Sequence, residues 1–473
     1  MRYAFLNPQG NFDPDDSYLT EHPDFGGQLV YVKEVCLALA DMGVNVDIVT
    51  RRVDDPKWRG FAGQIDYYRG YEGNPRIVRV DCGEPSFLNK EHLWPHLAEF
   101  VANTLSIYGE NPPGFATAHY ADAGYCAALL REKIGLDFTF TGHSLGAQKL
   151  DKLGTTSANA DAMERQYRFS RRIAAERLSM QLAYNIITST SQERYEQYAH
   201  SLYQGAVNVD DDAKFSIIPP GVNTRIFTTS GAMSDEDVHR KIAASLAATP
   251  TPYVIASSRL DEKKNILGLV RAYAHSKALR ESARLCIFIR GVPDPWFDQS
   301  SLSATETGVL APILQTIAQG GIRNKVDFLD IRSQQELAAA YRYFAQRGSV
   351  FALTSFYEPF GLAPLEAAAC GLAVVATNNG GPTEIFADGS GVLVNPEDEE
   401  EIAKGLHTAL SDHPGYTKKG QQRVRSTYTW NKTAEAYLAV MQRGIEAGRI
   451  DNDIVIPALD CRDRIGRYLD ETT

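Results

Sequence analysis

Short apolar runs alternate with stretches of helical periodicity along nearly the whole chain, and this alternation restricts the fold more than any other feature. Tyr3 to Leu6, Val46 to Val49, Ile77 to Val80, Phe115 to His119, Phe138 to Thr141, Asn185 to Thr188 and Phe215 to Ile218 read as buried strands. Between them, helical spacing covers Gln28 to Met42, Glu91 to Tyr108, Ala121 to Lys133, Ala160 to Tyr184 and Gln192 to Tyr203. A looser stretch, Asn223 to Pro252, is the best linker candidate, and after it the alternation restarts with TPYVIASSRL, LCIFIRG, VDFLD, VFALTS, AVVAT and GVLV. A chain of 473 residues is too long for one core. The expected fold is therefore α/β, with two Rossmann-like, doubly wound parallel-sheet domains facing across a cleft and ligands at the carboxyl ends of the strands. Residues 1–235, joined by a C-terminal helix 430–473, are expected to form one domain and residues 236–429 the other.

The densest chemistry lies in Phe356 to Gly371, FYEPFGLAPLEAAACG, which follows the strand VFAL and opens a helix. Pro364 is expected as the first helical residue and Gly371 as the stop. Free N–H groups at Gly361, Leu362 and Ala363 and the positive end of the helix favour a phosphate. Glu358 in the loop and Glu366 in the first turn are better used as acceptors for hydroxyls on either side of that phosphate, a layout that suits a nucleotide sugar. An acidic first turn that merely complements the helix dipole is the plainer reading of two glutamates at this spacing. Arg259, Lys263 and Lys264 follow the strand YVIASS, where basic residues can meet a phosphate. Gly26 and Gly27 precede the first long helix, as a common turn or a close approach to a diphosphate. Arg171 and Arg172 fall in the long helix of the first half, where a charged pair is usually a solvated face.

A net charge of −11 argues against nucleic acid or an anionic membrane as partner, so any phosphorylated ligand must be held by a local basic cluster. Six scattered cysteines form no C-x-x-C pair and read as reduced thiols. With no apolar run of membrane-spanning length and no leader ahead of RYAFL, the expected location is cytoplasmic. Three other patterns compete for attention. Gly142-His143-Ser144-Leu145-Gly146 has the G-x-S-x-G spacing of a hydrolase nucleophile elbow, which would make Ser144 a nucleophile; no histidine sits in a convincing loop after a late strand to serve it. His92 and His96 have zinc spacing, but Pro95 intervenes and no third ligand is evident. Asp210, Asp211 and Asp212 read as a solvated loop.

Taken in order, FLNPQGNF, HPDFGGQLVYVKE, TGHSLGAQK, STSQER, IPPGVNT, SSRLDEKKN and TSFYEPFGLAPLEA with GLAVVATNNGGPTEI resemble the sucrose-phosphate synthases, retaining glycosyltransferases of the two-Rossmann (GT-B) type. The resemblance runs from the first strand to about Ala447. It implies transfer of glucose from UDP-glucose or ADP-glucose to fructose 6-phosphate with the α configuration kept, and a functional link to a separate sucrose-phosphate phosphatase. A mannosylfructose-phosphate synthase using GDP-mannose is the alternative within the fold. The resemblance places Arg259 and Lys264 on the leaving diphosphate, with Gly26, Gly27, Gln28, Gly361, Leu362 and Ala363 also on the donor and Glu366 on its ribose. Glu358 and His143 are implied at the transferred sugar. Lys90, Tyr120, Ser144, Lys149, Arg171 and Arg172 are implied around the acceptor's 6-phosphate. No motif demands a metal or other cofactor, and Mg2+ is expected at most to stimulate.

Overall fold

The computed structural model describes residues 1–18, 22, 26–231, 233, 235–246, 249–448 and 454–472. Parts of three expectations therefore lie outside the described residues: the motif HPDFGGQLVYVKE at 23–25, the linker 223–252 at 232, 234 and 247–248, and the C-terminal helix 430–473 at 449–453 and 473. Among the described residues no helix is long and apolar enough to cross a membrane.

The chain divides into two units, residues 1–219 with 433–473 and residues 220–432. In the first, eight strands are β1 (Arg2–Leu6), β2 (Asn45–Arg51), β3 (Ile65–Tyr67), β4 (Arg76–Val80), β5 (Phe115–His119), β6 (Phe138–Thr141), β7 (Asn185–Thr188) and β8 (Phe215–Ile217). They lie in the order β3-β4-β2-β1-β5-β6-β7-β8, parallel except for the edge strand β3. In the second, β9 (Tyr253–Ser257), β10 (Arg284–Phe288), β11 (Val326–Leu329), β12 (Val350–Leu353), β13 (Ala373–Thr377) and β14 (Val392–Val394) run parallel in the order β11-β10-β9-β12-β13-β14. This is the doubly wound order, with its switch point between β9 and β12.

Strand periodicity explains the cores. Val254 and Ala256 enter one apolar cluster of the second sheet, and Tyr253 and Ile255 enter the cluster on its other face. Buried on both sides, such strands read as unbroken apolar runs, which is why they were legible in the sequence.

Several expectations need correction. The stretch 223–252 is not a free linker: Phe227 enters the core of the second unit, and the helix Asp235–Ser245 buries Ile242. Asp235 accepts from Arg342 Nε at 2.6 Å. The unit boundaries accordingly fall at 219/220 and 432/433, not at 235/236 and 429/430. The helix expected over Ala160 to Tyr184 breaks at Arg168, whose φ of 54° is left-handed, giving Ala160–Tyr167 and Phe169–Leu182. Glu91 to Tyr108 is an α-helix only from Leu97, because Pro95 interrupts the ladder. Gln192 to Tyr203 holds two single turns, Glu193–Gln197 and Ser201–Tyr203. The C-terminal helix is two, Trp430–Glu446 and Arg462–Thr472. The strand β3 was missed, since its exposed edge position gives no apolar run.

Candidate active site

In the second unit, the loops after β9 and β12 meet at the switch point. Phe356 N donates to Lys263 O at 2.9 Å, and Lys264 Nζ donates to Glu358 Oε2 at 2.7 Å. Lys264 is oriented from below: Asp261 caps the turn Glu262–Lys264 by accepting from Lys263 N, and Asn265 caps the following helix. The lysine and the glutamate, expected in separate roles, thus form one ion pair with both side chains largely buried. On its other side the Glu358 loop is held by Asn379, Gly380 and Gly381. Glu358 N donates to Asn379 O at 3.1 Å and Gly381 N to Glu358 O at 2.9 Å. A Cβ on Gly380, at φ 104°, would stand 2.1 Å from Glu358 O, so only glycine allows that approach. These three residues were not singled out beforehand; the signal was the paired glycine after the strand AVVAT.

The helix beyond Glu358 begins at Leu362, with Gly361 (φ 112°) before it and no side chain capping its first turn. Pro364 is therefore its third residue and not its first, and Glu366 lies past the first turn, which contains no acidic residue. The plainer reading of an acidic first turn fails, because that turn contains neither glutamate. The uncapped amides of Leu362 and Ala363 stay available to an anion. Burial pushes the Glu366 carboxyl up to about 7. Arg259 is exposed on the rim of a groove of about 470 Å³ formed by Ser257, Phe288 and Ile331 at the carboxyl ends of β9, β10 and β11.

In the first unit, the expected residues gather at the ends of β5 and β6. His143, with a left-handed φ of 55°, turns its Nε2 to Nδ1 of His119 at 2.9 Å, and His119 Nε2 lies 3.2 Å from Thr117 Oγ1. The Tyr31 ring meets His143 edge-on at 5.0 Å. Burial drives His143 down to about 3 and His119 well below its ordinary value, so both rings are neutral. One of the two facing nitrogens carries the shared proton and the other accepts it, and His119 thereby sets what the remaining nitrogen of His143 can offer. His119 was missed: as the polar last residue of a strand it looked like part of the strand.

Arg172 is buried and central. Its Nη2 donates to Ser144 O at 2.6 Å, its Nε to Glu176 Oε1 at 3.0 Å, and its guanidinium lies 4.5 Å from the centre of the Tyr120 ring. Lys90, Glu91, Trp94, Tyr120, Asp122, Tyr167 and Arg172 line one recess, and Lys149 stands 4.4 Å over the Tyr167 ring. Arg171 is exposed on the same helix and does not line the recess. Asp122, also missed, forms part of the recess floor: Oδ1 accepts from Ala123 N, while Oδ2 is buried without a hydrogen-bond partner. Burial raises its carboxyl to about 7 against the pull of Lys90 and Arg172. Tyr120 holds φ 85°, a strained value for an L-residue, to place its ring there.

Gly26, Gly27 and Gln28 start the helix Gly27–Asp41 in this same unit. Among the described residues no side chain is seen to cap it, and a Cβ on Gly27 would meet none of their atoms within 4 Å. Gln28 Nε2 donates to Asn7 Oδ1 at 3.2 Å. Ser144 lacks the geometry of a nucleophile elbow: the left-handed residue is His143, not the serine, and Ser144 Oγ lies 3.5 Å from the Arg172 guanidinium.

The chain was compared with known proteins. A family model described as glycosyl transferases group 1 matches residues 237–427, and one described as the first GT-B domain of sucrose synthase matches residues 2–244. The chain is 43% identical over 445 residues to a probable sucrose-phosphate synthase of Thermosipho melanesiensis, covering 94% of this chain and 97% of that one. To the sucrose-phosphate synthase of Spinacia oleracea it is 32% identical over 500 residues, covering 92% of this chain and 47% of that protein, so it spans about half the length of this plant relative. Among solved structures, a sucrose-phosphate synthase from Thermosynechococcus elongatus matches with TM-score 0.65 and 24% identity over 95% of this chain and all of that one. Anabaena HepE in complex with UDP matches with TM-score 0.61 and 16% identity over 94% of this chain and 100% of that one. These two likenesses show the fold, the expected pair of Rossmann-like GT-B domains.

Proposed function

The chain belongs to the sucrose-phosphate synthase family of glycosyltransferases, and on that premise we propose that it makes sucrose 6-phosphate. In this reading glucose moves from UDP-glucose or ADP-glucose to the anomeric oxygen of fructose 6-phosphate, with the α configuration kept. The observation that supports it most is the recess of Lys90, Tyr120 and Arg172, with Lys149 nearby, in a chain of net charge −11. A phosphate gains charge-assisted bonds there that a neutral sugar cannot use, so discrimination for the phosphorylated acceptor is strong.

On the donor, Arg259 and Lys264 neutralise the diphosphate as it leaves, and the uncapped amides at Leu362 and Ala363 take its oxygens. Glu358 fixes Lys264 and accepts from the hydroxyls of the transferred sugar. Glu366 accepts from the ribose. Neutral His143 hydrogen-bonds the same sugar near its C6 hydroxyl. The bond from C1 to the phosphate oxygen breaks as the bond from C1 to the acceptor oxygen forms on the same face. The acceptor proton passes to the departing phosphate oxygen, so no side chain has to serve as base. The protein's part is positioning and charge stabilisation. No step runs through a metal; Mg2+ stimulates, if at all, by helping the diphosphate leave. The phosphorylated product is a substrate for a separate phosphatase.

The experiment is a donor panel of UDP-glucose, ADP-glucose and GDP-mannose with fructose 6-phosphate and with fructose. Formation of sucrose 6-phosphate from a glucose donor, with little transfer to fructose, is the expected result. No disaccharide phosphate from any donor overturns the reading, and product from GDP-mannose alone moves it to the mannosyl alternative.

A further inference from the structure

Residues 454–472 return over the first unit as a strap whose anchors lie on the elements that build the phosphate recess. Ile456 N donates to Glu132 Oε1 at 3.1 Å, on the helix that Tyr120 precedes. Leu459 packs into the small cluster of Tyr120, Ala121 and Ala175 beside Trp94. Ile465 and Leu469 of the terminal helix Arg462–Thr472 enter the core of the unit. Tyr468 Oη donates to Asp151 Oδ1 at 2.8 Å, and His200 holds the other oxygen of Asp151 at 2.9 Å. Asp151 sits on the helix Gly146–Lys152, which carries Lys149.

Two of these anchors meet elements that cannot hold themselves. The helix Gly146–Lys152, of seven residues, is far below the length that is stable alone, so tertiary contacts must supply its order: Glu176 and Tyr203 take its first amides, and the strap meets its last turn at Asp151. Tyr120, at φ 85°, keeps a disfavoured backbone only because its surroundings over-determine it.

We propose that the strap is a positioning element of the acceptor site. Leu459 holds Tyr120 against Arg172, and Tyr468 holds the Lys149 helix through Asp151. The inference rests on reading the recess as the acceptor's phosphate site. Losing the strap weakens the sugar phosphate's binding far more than the nucleotide sugar's, since every anchor named lies in the first unit and Arg259, Lys264, Glu358 and Glu366 in the second, with His143 the one donor contact of this reading near the strap.

The test compares the full chain with a chain ended after residue 453 and with Leu459→Ala and Tyr468→Phe. The KM for fructose 6-phosphate is expected to rise about tenfold in the truncated chain and by a smaller factor in each point variant, with the nucleotide-glucose KM within about twofold. An unchanged acceptor KM, or an equal rise in both constants, overturns the proposal. Should the truncated chain not fold, the two point variants decide by the same split. If the full chain transfers nothing to fructose 6-phosphate, it is the proposed function that has failed. Hydrogen exchange then reads the strap directly, through faster exchange in residues 118–123 and 142–152 of the double variant than in the rest of the unit. Equal protection in both proteins there overturns it.

Discussion

His119 shows how a residue away from any motif governs one inside it. With both imidazoles neutral, its Nδ1 at 2.9 Å from His143 leaves His143 a single hydrogen-bonding role outward. Replacing it by leucine should lower kcat about 10-fold or more, because His143 then loses the partner that sets its tautomer, with a small change in the acceptor KM. Steady-state kinetics on both substrates checks this. On the proposed reading, in which Glu366 accepts from the donor's ribose, this carboxyl gives the donor side a pH signature. Burial puts its carboxyl at about 7, and hydroxyl donors favour its charged form, so donor affinity should grow as pH rises through 7 and level off above it. Donor KM is expected to rise about fivefold from pH 7 to pH 6, and Glu366→Gln should flatten that profile. Arg172→Ala carries two effects at once. Acceptor binding should weaken by about 1.5 to 3 kcal/mol, and the melting temperature should fall because Glu176 is left buried with Gly146 N and Tyr203 Oη but without its charged partner. A donor KM that rises as much as the acceptor KM would falsify its placement.

Among elements, the loop 356–361 is the least able to act alone. It is tied to Lys263 and Lys264 on one side and to Asn379–Gly381 on the other, three chain segments far apart in sequence. Gly380→Ala sets a Cβ 2.1 Å from Glu358 O at a φ that alanine resists, so the loop must shift by more than Glu358 can follow. Turnover should drop at least about 100-fold, by more than the accompanying fall in melting temperature accounts for, because the strain moves Glu358 away from Lys264. Calorimetry beside activity separates the two. Helix periodicity was a weaker guide than strand pattern here. Ala160 to Tyr184 kept an unbroken pattern through Arg168, yet the backbone turns left-handed there and starts a new helix, the one that carries Arg172.

For the molecule as a whole, the two units differ in how the chain builds them. Residues 220–432 are continuous and contain their own two-faced core, whereas the first unit needs 433–473. Tyr437 Oη lies 3.1 Å from the Tyr31 hydroxyl and 2.9 Å from Thr141 Oγ1, and Gly444 runs so close to Phe115 that a Cβ would stand 2.4 Å from its ring. The fragment 220–432 should therefore fold alone with a cooperative melt and bind UDP, while 1–219 should not reach a cooperative fold without the C-terminal segment. Circular dichroism and titration calorimetry on both fragments check this. A molten 220–432 would show that its core depends on the other unit.

The sequence by itself determined the two parallel sheets, because strands buried on both faces must be apolar throughout and the helices between them must carry a 3.6-residue stripe. Lys264 and Glu358 stand out against that pattern as charged residues in loops after strands, whereas His143, Lys90 and Arg172 were marked only by the resemblance to the sucrose-phosphate synthases. What only the tertiary structure decided is who faces whom. Lys264 pairs with Glu358 across 94 residues, and His143 leans on His119 across 24. Asp122 lies beneath the recess with an unpaired oxygen, and the strap closes over Tyr120. Each depends on contacts between segments distant in sequence, and pattern along a chain carries no record of those.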